Sequence, residues 1–173
     1  MIQTLTLENY RGFQRFELHD LGRVNLIVGT NNAGKTSVLE AVSILQSPGD
    51  FGAIWSTLSR RGEDFEDNEF NRIVRQIDVR RLFHGHELIE GSKIRISAKT
   101  DTGPNEFRAI VTQSEPELRF TTTPAPGEYH GALDSEGLVQ PSALGLNWKF
   151  PQDGAEVSTT MALTRRGRSP PRK

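Results

Sequence analysis

The stretch GTNNAGKT at residues 29–36 constrains the fold of this chain more than any other feature. It has the spacing G-x-x-x-x-G-K-[ST], which a chain of average composition gives by chance at about 4 in 100,000 positions. The nearly all-apolar run Val24–Val28 precedes it, and apolar residues at helical spacing follow it, at Val38, Leu39, Val42 and Leu45. A strand, a glycine-rich loop and a helix in this order are what a phosphate-binding loop needs.

Each position of this loop has a defined task if it holds a nucleotide. Glycine at positions 29 and 34 allows backbone angles and close approaches that a side chain would forbid, so that successive N–H groups converge on phosphate oxygens. The helix that follows adds the positive end of its dipole. Lys35 would contact the β- and γ-phosphates, Thr36 would ligate Mg²⁺ and Ser37 would contact the α-phosphate. The other residues expected to bind the nucleotide are those of the loop itself: Gly29, Asn31, Asn32, Ala33 and Gly34. The alternative is a helix-capping loop whose glycines are incidental.

The residues before the loop alternate between apolar and polar, which predicts two antiparallel strands at Ile2–Leu7 and Phe13–Leu18, joined by a turn at residues 9–12. The run at residues 24–28 predicts a strand covered on both faces. The helix that begins near Lys35 should end at the sequence SPG of residues 47–49, because proline restricts the residue before it.

A second helix is predicted over Phe70–Phe83, where apolar residues recur on one face, after an acidic run at residues 63–69 that we expect in solvent. Beyond Gly91 the pattern has period two. It predicts a hairpin of Lys93–Ala98 with Glu106–Thr112 and further strands at Glu117–Thr122 and Ala155–Leu163, with a loop-rich stretch at residues 124–145 between them.

These elements predict an α/β fold of the P-loop NTPase type with an antiparallel β lobe. We divide it into a P-loop lobe at residues 1–50, a helical segment at 51–92, a mainly antiparallel β segment at 93–163 and a basic tail at 164–173. A chain of 173 residues can bury roughly 70% of its unfolded surface, enough for one core.

Composition excludes several classes of protein. The chain has no cysteine, which excludes disulfides and thiolate catalysis, and no apolar run near the ~20 residues of a membrane helix, so we expect a soluble, cytoplasmic protein with no membrane partner. Net charge is −1, but five of the 21 basic residues lie in the last ten positions. That tail is either a nucleic-acid contact or a disordered end with nothing apolar to pack.

The sequence LENYRGF at residues 7–13, FEL at 16–18 and VNLIVGTNNAGKTSVLEA at 24–41 resembles the opening of the RecF/SMC/OLD-type ABC ATPases, where OLD denotes the overcoming-lysogenization-defect family. The resemblance is strong over about residues 1–46 and weaker to about residue 98, where RRLFHG at 80–85 is similar to OLD-like bacterial ATPases. It implies the N-terminal portion of an ABC-ATPase-like head that binds ATP with Mg²⁺ and forms a homodimer through the nucleotide face, with DNA as a partner.

The resemblance also implies roles for two side chains. Arg11, after the first strand, would lie near the nucleotide and contact a phosphate or the ribose; the alternative is a surface arginine in a turn. Asn32 would face the γ-phosphate.

The motifs that such an ATPase needs for hydrolysis are not recognisable. Walker B would be an apolar strand ending in Asp-Glu, and the nearest acidic pair, Asp134 and Glu136, lies among glycines. No L-S-x-G signature is present. The glutamine expected in the magnesium shell could be Gln113, Gln140 or Gln152, and the sequence does not distinguish among them. No catalytic residue is identifiable, so this chain should bind ATP without hydrolysing it alone, as the N-terminal part of a longer ATPase.

Two further interpretations stay open. The chain is alternatively a non-catalytic interaction or DNA-binding module whose P-loop is a relic. His84 and His86 either bind a metal, if they lie on a strand, or form a pair in a loop.

Overall fold

The computed structural model describes residues 1–69, 72–113, 142–149 and 156–163. Predictions for the strand at 117–122, the acidic pair Asp134 and Glu136, most of the loop-rich stretch and the tail at 164–173 fall outside these residues. So do Gln140 and Gln152.

The described chain contains two helices and eight strands, with two short 3₁₀ turns. The bounds are β1 Ile2–Tyr10, β2 Phe13–Leu18, α1 Lys35–Leu45, α2 Phe51–Ser59, β3 Asp64–Glu69, β4 Arg72–Ile77, the 3₁₀ turns Val79–Leu82 and His84–His86, β5 Lys93–Thr100, β6 Gly103–Gln113, β7 Ser142–Lys149 and β8 Glu156–Ala162. None of the helices in these residues is long and apolar enough to cross a bilayer.

A six-stranded antiparallel sheet forms the body of the fold, in the order β2-β1-β5-β6-β7-β8, and β3 and β4 form a separate hairpin. The register of the six-stranded sheet aligns Leu7 with Ile96, Ile96 with Phe107 and Phe107 with Trp148, and all four side chains are buried. The neighbouring row points to the other face and is polar, because successive side chains of a strand alternate. One face of the sheet therefore carries the core.

Helix α1 packs on this apolar face. It buries Val38, Ala41, Ile44 and Leu45, and the indole Nε1 of Trp148 donates a hydrogen bond of 3.0 Å to the Ile44 carbonyl oxygen. That bond joins β7 to the helix that follows the glycine-rich loop. The face of α1 opposite the sheet leaves Leu39 63% exposed.

Most strand predictions are confirmed. β1, β2, β5, β6 and β8 lie where the period-two pattern placed them, and α1 runs over the predicted residues. The turn between β1 and β2 is tighter than predicted, because β1 continues to Tyr10 and leaves two residues, Arg11 and Gly12. β7 was not predicted, and its first residues lie in the stretch assigned to loops.

The helix predicted over residues 70–83 is wrong. Its described residues form β4 and a 3₁₀ turn, and β4 pairs with the acidic run as β3, from Asp64 opposite Ile77 to Glu69 opposite Arg72. The acidic run is therefore a strand from Asp64 onward, and Glu63 at its start is largely buried and not in solvent as predicted. Segment 51–92, predicted as helical, holds one α-helix, one hairpin and two 3₁₀ turns.

The strand predicted at residues 24–28 is also wrong for the described chain. This run has no regular secondary structure, and Val24, Leu26 and Val28 are 91%, 87% and 77% exposed. A strand covered on both faces needs neighbouring strands, and none of the strands in the described ranges pairs with it.

Candidate functional site

The glycine-rich loop ends where helix α1 begins. Gly34 precedes the first helical residue, Lys35, with φ of 87°, and no side chain caps the helix. The first N–H groups of an uncapped helix have no intrahelical acceptor, and the helix dipole makes this end positive. The loop can therefore bind an anion at the N-terminus of α1.

The side chain of Lys35 spans the loop. Its Nζ donates hydrogen bonds to the carbonyl oxygens of Gly29, at 2.7 Å, and Thr30, at 2.6 Å. Within the described chain no carboxylate forms an ion pair with it, so its charge is balanced only by carbonyl dipoles. The ammonium group is thus fixed at the mouth of the loop, available to an anion.

A cleft of about 710 Å³ opens over the loop. The structure brings most of the predicted site residues to its wall, and Gly29 joins them through the Lys35 contact. The predicted residues that line it are Arg11, Asn31, Asn32, Ala33, Gly34, Lys35, Thr36 and Ser37. Thr36 is exposed, whereas Ser37 is buried and its Oγ accepts a hydrogen bond from Arg61. The size of the cleft is that of a small-molecule site.

Arg11 lies deeper than either interpretation of the sequence placed it. Its side chain is 5% exposed, its Nε lies 2.9 Å from a Glu40 oxygen and its Nη1 lies 3.1 Å from both oxygens of Glu63. Desolvation lowers the pKa of Arg11, but nearby Tyr10, Glu40 and Glu63 together raise it above its usual value, so the guanidinium stays charged. Arg11 lines the cleft with its charge already paired.

Tyr10, the last residue of β1, is buried behind this arginine. Burial raises its pKa to about 12, against the opposing charge of Arg11. Among the described residues its hydroxyl finds no aligned hydrogen-bond partner. The phenol therefore stays neutral.

Five residues of the cleft were not predicted as part of a nucleotide site, namely Gly12, Arg61, Glu63, Arg81 and His86. Arg61 follows α2, with Nε 2.8 Å from Glu40 and Nη2 3.1 Å from the Ser37 hydroxyl. The residues come from separate segments that only the fold brings to the loop, so no local motif marks them.

The turn between β1 and β2 also contacts the loop. A Cβ added to Gly34 would lie 2.4 Å from Cζ of Phe13, so the ring occupies the space a larger residue would need. Phe13 in turn stacks on Phe16, with ring centroids 4.6 Å apart. The β1–β2 hairpin therefore packs directly on the candidate loop.

The histidine pair shows no sign of a metal site. His84 uses Nδ1 for a 3.0 Å hydrogen bond with the Arg11 backbone oxygen, and the described residues contain no group of three His, Asp or Glu that could hold a metal ion.

The sequence matches the AAA ATPase domain family over residues 1–124. An uncharacterized protein of Methanocaldococcus jannaschii, MJECL10, is 45% identical over 47 residues, which are 27% of this chain and 22% of that protein. The DNA replication and repair protein RecF of Rickettsia felis is 44% identical over 43 residues, and that of Bacillus velezensis 46% over 44, each covering 25% of this chain and 12% of the relative.

The chain therefore aligns with well under two thirds of the length of these curated relatives. No solved structure shows a significant match to it.

Proposed function

Since the chain belongs to the AAA ATPase domain family, we propose that it is part of a RecF/SMC-type ATPase and binds ATP with Mg²⁺ in the cleft over residues 29–37. The observation that carries the proposal is the uncapped start of α1 beside the Lys35 ammonium group, in a cleft large enough for a nucleotide. Backbone N–H groups and one fixed cation form a site for phosphate oxygens.

The residues present suit this ligand. Lys35 would contact the β- and γ-phosphates, and loop N–H groups from Asn32 to Thr36 would cradle them. The exposed Thr36 hydroxyl would ligate Mg²⁺, which neutralises phosphate charge when bound. Ser37 would reach the α-phosphate only after sharing or giving up its contact with Arg61.

The wider role proposed is that of one part of an ABC-type head in a DNA-maintenance or phage-defence machine, related to the RecF and OLD groups. Two such heads would associate through the nucleotide face, and the machine would act on DNA in the cytoplasm. Support for a DNA partner comes from the similarity to a DNA replication and repair protein, RecF.

A calorimetric titration of the chain with Mg-ATP tests the proposal. Lys35→Ala should weaken binding ten- to hundredfold, because a charge-assisted hydrogen bond contributes about 1.5–3 kcal/mol. Lys93→Ala, on the polar face of the sheet, is the matched control and should bind like the parent protein. Equal binding by the Lys35 variant and the parent would refute the phosphate-loop assignment.

The competing function, a DNA-binding module with a relic loop, predicts a different result. DNA binding by the tail should weaken with rising salt and disappear when residues 164–173 are deleted. Nucleotide binding at the cleft should be unaffected by that deletion.

A further inference from the structure

Arg81 lines the cleft, and its nearest carboxylate, Asp78, is already hydrogen-bonded to Arg80. The Asp78 carboxylate is buried, and Arg80 holds both of its oxygens, with Nε 2.8 Å from Oδ1 and Nη2 2.8 Å from Oδ2. The Arg80 backbone N–H donates to Oδ1 as well, at 3.2 Å. Nε of Arg81 lies 3.7 Å from Oδ2, beyond hydrogen-bond distance, and the side chain is 51% exposed.

The other arginines of the cleft are balanced by carboxylates. Arg11 pairs with Glu40 and Glu63, and Arg61 pairs with Glu40. Two carboxylates thus serve two guanidinium groups. Among the arginines and lysines that line the described cleft, Lys35 and Arg81 are the two whose charge is not matched in this way.

The backbone at Arg81 is firmly attached to the rim of the cleft. The Arg11 N–H donates a 2.8 Å hydrogen bond to the Leu82 oxygen, and Tyr10 forms a β-bridge with Phe83. The oxygen of Arg81 itself lies 3.5 Å from Nη1 of Arg11. The side chain therefore extends from a fixed point, and binding a ligand requires only its own ordering.

We propose that Arg81 is a second cation of the nucleotide site, which donates hydrogen bonds to phosphate oxygens that Lys35 and the loop do not reach. This inference rests on the proposed function, because it assumes an anionic nucleotide in the cleft. A guanidinium offers paired donors that fit phosphate oxygens, and a polyphosphate carries more charge than one lysine neutralises.

The test compares Arg81→Gln with Arg60→Gln in titrations of the full chain with Mg-ATP. Arg60 is exposed at the end of α2 and does not line the cleft, so it is a matched control for the loss of one arginine. Arg81→Gln should weaken binding about three- to tenfold, because a half-exposed contact gives the low end of charge-assisted hydrogen bonding. Arg60→Gln should bind like the parent, and Arg81→Lys should lie between.

Salt dependence separates a direct contact from a structural effect. The ratio of affinities between the parent and Arg81→Gln should shrink as salt is added, since salt screens exposed charges, while the thermal midpoint of the variant stays near that of the parent. If Arg81→Gln unfolds, Arg81→Lys decides, and an affinity equal to the parent's at both high and low salt counts against the contact.

The two proposals fail in different ways. Arg81→Gln binding as tightly as the parent, while Lys35→Ala binds poorly, would overturn the role of Arg81 alone. No binding of Mg-ATP by the parent would overturn the proposed function and the role of Arg81 with it.

Discussion

At the scale of single residues, Gly34 is the position where the loop tolerates least change. Its φ of 87° suits glycine, and the Phe13 ring fills the place of a Cβ. Gly34→Ala should therefore displace the ring or the loop and weaken Mg-ATP binding at least tenfold, with a loss of stability of about 1–3 kcal/mol. Gly62→Ala also has a positive φ but open space around it, so it should cost stability without affecting the titration.

Tyr10 predicts a specific response to alkaline pH. Its folded pKa of about 12 lies above the ordinary value of 10, so the folded state keeps the proton longer. The contribution of the Tyr10 phenol to the free energy of unfolding is fully present below pH 10. It is lost as the pH rises toward 12, by about 2–3 kcal/mol in total. In Tyr10→Phe this loss of unfolding free energy at alkaline pH should be absent. At neutral pH the variant should be nearly as stable as the parent, because the hydroxyl has no aligned partner among the described residues.

Urea unfolding of both proteins at several pH values between 8 and 12 measures this difference. Subtracting the unfolding free energy of the variant from that of the parent at each pH removes the contribution of the titratable groups that both proteins share. Parallel curves for parent and variant would show that the phenol ionises as easily in the folded state as in the unfolded one.

At the scale of elements, the β1–β2 hairpin is attached to α1 and to the start of β3 through Arg11. Removing this side chain leaves two largely buried carboxylates, Glu40 and Glu63, with one positive partner fewer. Arg11→Met should therefore destabilise the fold by about 3 kcal/mol or more. Arg15→Met, in which an exposed arginine loses contacts with Glu8 and Glu17, should cost at most about 1 kcal/mol.

Urea denaturation of the two methionine variants gives the comparison. Equal losses would mean that the buried ion pairs contribute no more than those on the surface. A loss confined to Arg11→Met, together with weaker nucleotide binding, would show that the hairpin also holds the loop in place.

At the scale of the whole molecule, the described wall of the cleft has cations for phosphate but no unpaired carboxylate to activate water. Glu63 is the acidic residue that lines its described wall, and Arg11 holds it. Phosphoryl transfer needs a positioned water as well as charge neutralisation, so the chain alone should release phosphate no faster than its Lys35→Ala variant. Steady-state release that this substitution abolishes would contradict the prediction and direct attention to Asp134 and Glu136, outside the described residues.

The exposed run at 24–28 is also a property of the whole molecule. Valine and leucine at 77–91% exposure gain nothing from burial unless further strands cover them. The pattern of this run is typical of a buried strand, but among the described residues no strand pairs with it and the run stays irregular and exposed. A local apolar pattern indicates that a segment is suited to burial, but it does not identify the residues that would cover it.

Sequence alone determined the elements whose signal is local. Period two predicted β1, β2, β5, β6 and β8, and the helical spacing of apolar residues after Lys35 predicted α1. These predictions hold because side-chain alternation and helical periodicity are properties of a few neighbouring residues.

The tertiary structure decided what depends on distant partners. Ile73, Val74 and Ile77 suit one helix face as well as a strand, and pairing with the acidic residues of β3 selected the strand. In the same way, Arg61 and Arg81 reach the cleft, and Arg11 finds Glu40 and Glu63, only once the sheet and helices have assembled. Such contacts join residues far apart in the chain, and their free energy comes from burial and charge pairing that no short stretch of sequence contains.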